Sequence, residues 1–174
     1  MPFQIIDGDL LKIKTDLIVH QCNCLTVRGH GLSAAIFEKY PKADIYSRRI
    51  PVGKRNLAIE TDRGTPGTII VKGRVVNMLG QWRPGKGTEL YDRHYPESVP
   101  RESKLQRESW FASCLLHLEK YMIQHNKTSV AFPYFIGCGL AGGNWNNYEN
   151  MIRAFANRLP SINVVICRLV TPAI

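Results

Sequence analysis

Twice in this chain an apolar run of strand length passes into a glycine-rich loop and then into a helical pattern. The first instance is DLIVHQC (16–22), a loop from Asn23 to His30, and GLSAAIFEKY (31–40). The second is SVAF (129–132), the loop GCGLAGGNW (137–145), and a helical stretch from Asn146 to Arg158. A continuous apolar run is what a strand covered on both faces carries. A loop poor in side chains lets backbone N–H groups approach an anion, and a helix N-terminus adds partial positive charge. Two such loops, far apart in sequence, are expected to grip the two phosphates of one pyrophosphate.

The remaining pattern agrees with an α/β protein. Strands are expected at Phe3–Ile6, Thr68–Lys72, Arg74–Leu79 and Ile162–Val170, the middle two forming a hairpin about Gly73. Ser103–His125 predicts the longest helix, with Leu105, Trp110, Leu115, Leu118, Tyr121 and Met122 on one face. Lys42–Arg49 reads as a second short helical segment. Strands alternating with helices predict a three-layer α/β/α sandwich with a central mixed sheet. Its 174 residues make one domain, 1–174, with a long polar loop or lid at about 81–102.

Composition narrows the partner. Lys plus Arg number 23 and Asp plus Glu 14, a net charge of +9 that favours an anion. Nucleic acid and a phosphorylated small molecule both satisfy it, but no zinc finger or aromatic–basic RNA-binding stretch is present. The basic clusters Arg48–Arg55 and Arg101–Arg107 read as solvated faces. Five cysteines without a secretion signal point to reduced thiols and a cytoplasmic setting, or a nuclear one for a eukaryotic or viral source. No apolar run is long enough to span a bilayer, so no membrane partner is expected.

Several local motifs compete for the site. Gly29-His30-Gly31-Leu32-Ser33-Ala34 fits G-x-G-x-x-A, but no acidic residue follows where a dinucleotide ribose needs one. Gly80–Gly87 approaches a P-loop, yet it lacks the hydroxyl and the following helix, so it is a decoy. His20, Cys22 and Cys24 alternate along a strand, a poor zinc spacing, and neither a metal nor a cofactor is expected. Asp9 could accept an adenine amine or simply cap the turn that starts at Leu10.

Together these residues resemble a macro domain, the ADP-ribose-binding fold, nearly end to end. The resemblance is carried by IIDGDLLKIKTDLIVHQCN at the start, GHGLSAAI in the first loop and FPYFIGCGLAGGNW in the second. The last is specific to a branch that includes terminal ADP-ribose hydrolases and ADP-ribose-1″-phosphate phosphatases. The resemblance implies that Asp9 and Leu10 meet the adenine end and that Asn23 stands beside the distal ribose. It assigns Gly29, Gly31 and Leu32 to the first phosphate loop. Gly137, Cys138, Gly139, Leu140 and Ala141 fall in the second.

The catalytic Lys and Asp of hydrolases acting on glutamate-linked ADP-ribose are replaced here by about Gln81 and Ala141. The family aromatic beside the adenine is replaced around Cys167. His20 matches a histidine of a phosphatase member and, with Asn23, is the catalytic candidate. Lys86, Asp92 and His94 are substitutes if residues 81–102 fold over the cleft. The implied function is ADP-ribose binding, with hydrolysis of ADP-ribose-1″-phosphate or removal of ADP-ribose from a modified macromolecule. The alternatives are a non-catalytic ADP-ribose reader, a basic nucleic-acid-binding module and, last, a Rossmann dehydrogenase.

Overall fold

Strand β2 (Leu17–Asn23) is the axis of the molecule, and every residue of it but Gln21 is buried. The structure is a computed structural model that describes residues 3–86, 95 and 98–170. Five further strands flank β2: β1 (Phe3–Asp7), β3 (Thr68–Lys72), β4 (Val75–Gln81), β5 (Ser129–Pro133) and β6 (Asn163–Arg168). The sheet order is β1-β6-β5-β2-β4-β3, parallel throughout except for the antiparallel β3–β4 hairpin.

Alternation along β2 separates two cores. Leu17 and Val19 join Val76, Met78 and the inner faces of α2 (Lys104–Gln124) and α3 (Trp145–Arg158). Ile18 and Cys22 face the other way, with Val75 and Leu79, against Ile36 and Phe37 of α1 (Gly31–Lys39). The result is helix, mixed sheet, helix: the expected three layers.

Three sequence expectations need correction. Of the proposed segment 42–49 only Lys42 and Ala43 are helical, in the single 3₁₀ turn Pro41–Ala43. The Asp44 carboxylate then accepts the Tyr46 and Ser47 amides, and this local turn competes with a helix. Leu105 is 77% exposed, because Arg107 takes the inward position of that turn to meet buried Glu102. Strand β6 ends at Arg168, leaving Leu169 and Val170 exposed. Helix α2 starts where the sequence puts it, because Ser103 and Gln106 form a reciprocal capping box. No helix among the described residues is long and apolar enough to cross a membrane.

Candidate functional site

Neighbouring strands β2 and β5 lead in opposite directions. From β2 the chain passes through α1 toward β3 and β4; from β5 it passes through α3 on the other face toward β6. A crevice opens between the carboxyl ends of two strands whose connections diverge in this way. A cleft of about 610 Å³ lies there, lined by both glycine-rich loops.

The first loop is held by side chains. Asn23 Oδ1 accepts the amides of Leu25 at 3.0 Å and Thr26 at 2.8 Å, and the Thr26 hydroxyl at 3.1 Å. Its amide nitrogen is the group left for the cleft. Asn56 Oδ1 accepts the amides of Val27 and Arg28. Tyr46 Oη accepts the Asn23 amide at 2.7 Å. Arg49, 7% exposed, donates to the carbonyls of Thr26 and Asn23 and lies 4.8 Å from the Tyr46 ring centre. Beyond this brace, the amides of residues 29–33 have no protein acceptor among the described residues. Three of them open α1, whose N-cap His30 makes no side-chain cap.

Turns of its own backbone hold the second loop. Cys138 N–H reaches Phe135 O, Gly142 N–H reaches Gly139 O and Gly143 N–H reaches Gly137 O. The amides of residues 139–141 are left without an acceptor among the described residues, a nest open to an anion. Gly137 sits at φ +74°, where a Cβ would stand 2.6 Å from Cε1 of Tyr148, so no other residue fits. Phe135 adopts φ +65°, a rare conformation for an aromatic residue, and packs against Tyr134 and Trp145.

One buried guanidinium ties this loop to the segment that follows β4. Arg107 donates to Ala141 O at 3.2 Å, Gly85 O at 2.6 Å and Arg83 O at 3.0 Å. Its Nε meets Glu102 at 2.6 Å, and Glu102 also takes Arg83 at 3.3 Å and the amides of Trp82 and Arg83. The described ends of the 81–102 stretch are therefore anchored. Arg49 and Arg107, from the two clusters read as solvated faces, are structural instead.

His20 is 1% exposed. Its Nδ1 lies 2.9 Å from Ser33 Oγ and its Nε2 2.5 Å from Asn77 Oδ1. Desolvation lowers its pKa to about 4, against a smaller raising effect of the Asn77 bond. Cys22 Sγ is 3.5 Å from Nε2, but burial pushes this thiol up to about 12, and Cys22 is absent from the cleft wall. Cys138 does line the cleft, its thiol also raised to about 12 by burial.

The cleft thus brings together His20, Asn23, Gly29, Gly31, Leu32, Gly137, Cys138, Gly139, Leu140 and Ala141. Asp9 and Leu10 stand outside its lining. The Asp9 carboxylate accepts the Leu11 amide at 2.9 Å, and the Leu10 side chain is buried in the core beneath α1. Gln81 lines the wall and carries the Gln21 amide on its Oε1; Lys86 packs alongside Gly142. Asp92 and His94 lie outside the described residues. Among the described residues no three His, Cys, Asp or Glu side chains gather as a metal site.

Sequence reasoning missed Ser33, Tyr46, Asn56 and Asn77. For Asn77 a signal existed, since a polar residue interrupts VVNML at a core-facing strand position.

No protein-family model matches the sequence, and no curated protein matches it significantly. Solved structures do match. The macrodomain of Mycobacterium tuberculosis DarG is 20% identical, with 98% of each chain covered and a TM-score of 0.68. The macrodomain of Thermus aquaticus DarG is 17% identical over 97% of this chain and 98% of its own, at 0.63. An Oceanobacillus iheyensis macrodomain with ADP is 14% identical over 95% and 82%, at 0.59. From β1 to β6, then, this chain is folded as a macrodomain.

Proposed function

We propose that the cleft binds ADP-ribose, with the free amides of residues 29–33 and 139–141 holding its diphosphate. The observation that carries this reading is the convergence of two runs of unpaired amides on one cleft. Amides fixed in advance toward an anion need no reorganisation on binding. The amide nitrogen of Asn23 donates, on this reading, to a ribose hydroxyl. In keeping with this, the Oceanobacillus iheyensis macrodomain, of the same fold, has been solved with ADP and, as a mutant, with ADP-ribose.

The finer reading is hydrolytic: ADP-ribose-1″-phosphate to ADP-ribose, or release of ADP-ribose from a modified macromolecule. His20 is the base at hand, and it meets the cleft through the Ser33 hydroxyl. A second reading, a reader without chemistry, is favoured by one observation. Both ring nitrogens of His20 are already engaged, so a water must displace Ser33 to reach Nδ1.

Titration calorimetry with ADP-ribose tests the binding. Saturable heat is expected; none at high micromolar ligand contradicts it. Phosphate release from ADP-ribose-1″-phosphate then separates hydrolase from reader. Release that is lost in His20→Gln supports the hydrolase, and binding without release supports the reader.

A further inference from the structure

We propose that Ser33, His20 and Asn77 form a nucleophilic set that cleaves carboxylic esters seated in the cleft, through an acyl-serine at Ser33. The inference stands on contacts among these three residues and concerns the nucleotide-free cleft, because the amides of residues 31–33 that it uses are among those given above to the diphosphate.

The sheet builds the set. His20 on β2 and Asn77 on β4 are register partners in a parallel pair, so their side chains leave the same face next to each other. Asn77 is fully buried, and its amide nitrogen donates to Ile70 O at 3.1 Å and Ala43 O at 3.3 Å. Two carbonyl acceptors identify that atom as nitrogen, so Oδ1 is the atom facing His20 and accepts its Nε2–H. The buried imidazole is neutral at pH 7, so its Nδ1 presents a lone pair, which takes the Ser33 hydroxyl proton. Phe37 holds the ring edge-on at 5.2 Å.

Ser33 therefore shows the cleft an oxygen whose proton is committed elsewhere. A base on the hydroxyl and a group orienting the base are the parts of an activated serine. A third part can come from the amides of residues 31–33, which open α1 beside Ser33, have no acceptor among the described residues and are free to receive an oxyanion. Leu32, exposed at the rim, offers an apolar seat for an acyl group. Cys22 does not compete: its Sγ lies nearer the protonated Nε2, at 3.5 Å, than Nδ1, at 3.8 Å, whereas the Ser33 hydroxyl is 2.9 Å from Nδ1.

The chemistry closes without a further reagent than water. Ser33 Oγ bonds to the ester carbonyl carbon as its proton passes to His20 Nδ1. The bond to the alcohol oxygen breaks, and His20 returns that proton to the leaving alkoxide. Water then attacks the acyl carbon, giving one proton to His20, and the acid leaves as Ser33 recovers its hydrogen. Ester and water become acid and alcohol. Asn77 supplies orientation but no charge to support the imidazolium, so deacylation is expected to be slow and the acyl-enzyme to accumulate.

The test is a burst assay with p-nitrophenyl acetate, followed by peptide mapping. The assay contains no nucleotide, so its outcome is separate from that of the ADP-ribose titration. A stoichiometric nitrophenolate burst is expected, with a hydroxylamine-labile acetyl ester on Ser33. Ser33→Ala abolishes the burst, and His20→Gln slows it on the order of 100-fold. The wild-type burst rate stays flat through neutral pH and falls only as His20 protonates, near pH 4. Asn77→Asp moves that fall to higher pH, as a carboxylate beside His20 raises its pKa. The proposal is overturned if no ester forms on Ser33, or if a folded His20→Gln variant acylates at the wild-type rate. A folded Asn77→Asp variant with the wild-type pH profile removes Asn77 from the set. The wild-type adduct and its pH profile decide the matter even where a buried substitution prevents folding.

Discussion

The two loops that wall the cleft reach the same end by opposite means. The first is held by side chains, Asn23 at its root and Tyr46, Arg49 and Asn56 from beyond it, spread over more than thirty residues. The second is held by its own turns and by a glycine at positive φ, with one long-range tie from Arg107. The difference teaches why only the second advertises itself in sequence. A backbone-built nest needs glycines at fixed places, and glycines are easily seen. A side-chain brace is written in ordinary residues whose partners only folding reveals.

The comparison can be broken at its ties, beginning with the strongest. Arg107→Met takes from the fully buried Glu102 carboxylate the nearer of its two arginines, leaving Arg83 at 3.3 Å, and removes the donor to the carbonyls of Gly85 and Ala141. A loss of about 3–5 kcal/mol in urea unfolding is expected.

Acid is the next lever, acting at the root of the first loop. The folded pKa of His20, about 4, lies below the ordinary imidazole value of 6.5. Between those pH values the unfolded chain binds the extra proton, so this group makes stability fall as pH drops from 6.5 toward 4. The slope approaches about 1.4 kcal/mol per pH unit, or about 3 kcal/mol over the window. Urea unfolding across that range should show it, and the difference from His20→Gln isolates it.

Arg49→Met should cost about 2 kcal/mol, since two buried carbonyls of the first loop lose their donor. Unlike the Arg107 variant, it should leave the amide shifts of residues 139–141 unchanged. Asn56→Ala is the mildest, about 1 kcal/mol, from the loss of one oxygen that accepts two amides at an exposed site. Amide exchange should quicken at Val27 and Arg28 and nowhere in the second loop.

Much of the fold was legible because its strands are continuous apolar runs and its longest helix repeats apolar residues along one face. The layer order, the hairpin and both loops followed from those patterns. What was hidden had no period. The helix expected over 42–49 stops at Ala43, and residues 50–67 carry no helical or strand rhythm, so the brace from Tyr46, Arg49 and Asn56 could not be placed. The arginines at 49 and 107 sit among other charges, and a run of charge does not say which member turns inward. The Ser33–His20–Asn77 contacts depend on the register of β2 against β4. The polar residues interrupting LIVHQC and VVNML marked their positions but not their meeting.

The central claim is that both loops hold one diphosphate. Following backbone amides by ¹H–¹⁵N NMR during an ADP-ribose titration tests it most directly. The account predicts that resonances of residues 29–33 and 139–141 move together, along one saturation curve. Movement confined to a single loop, or none in either, would contradict it.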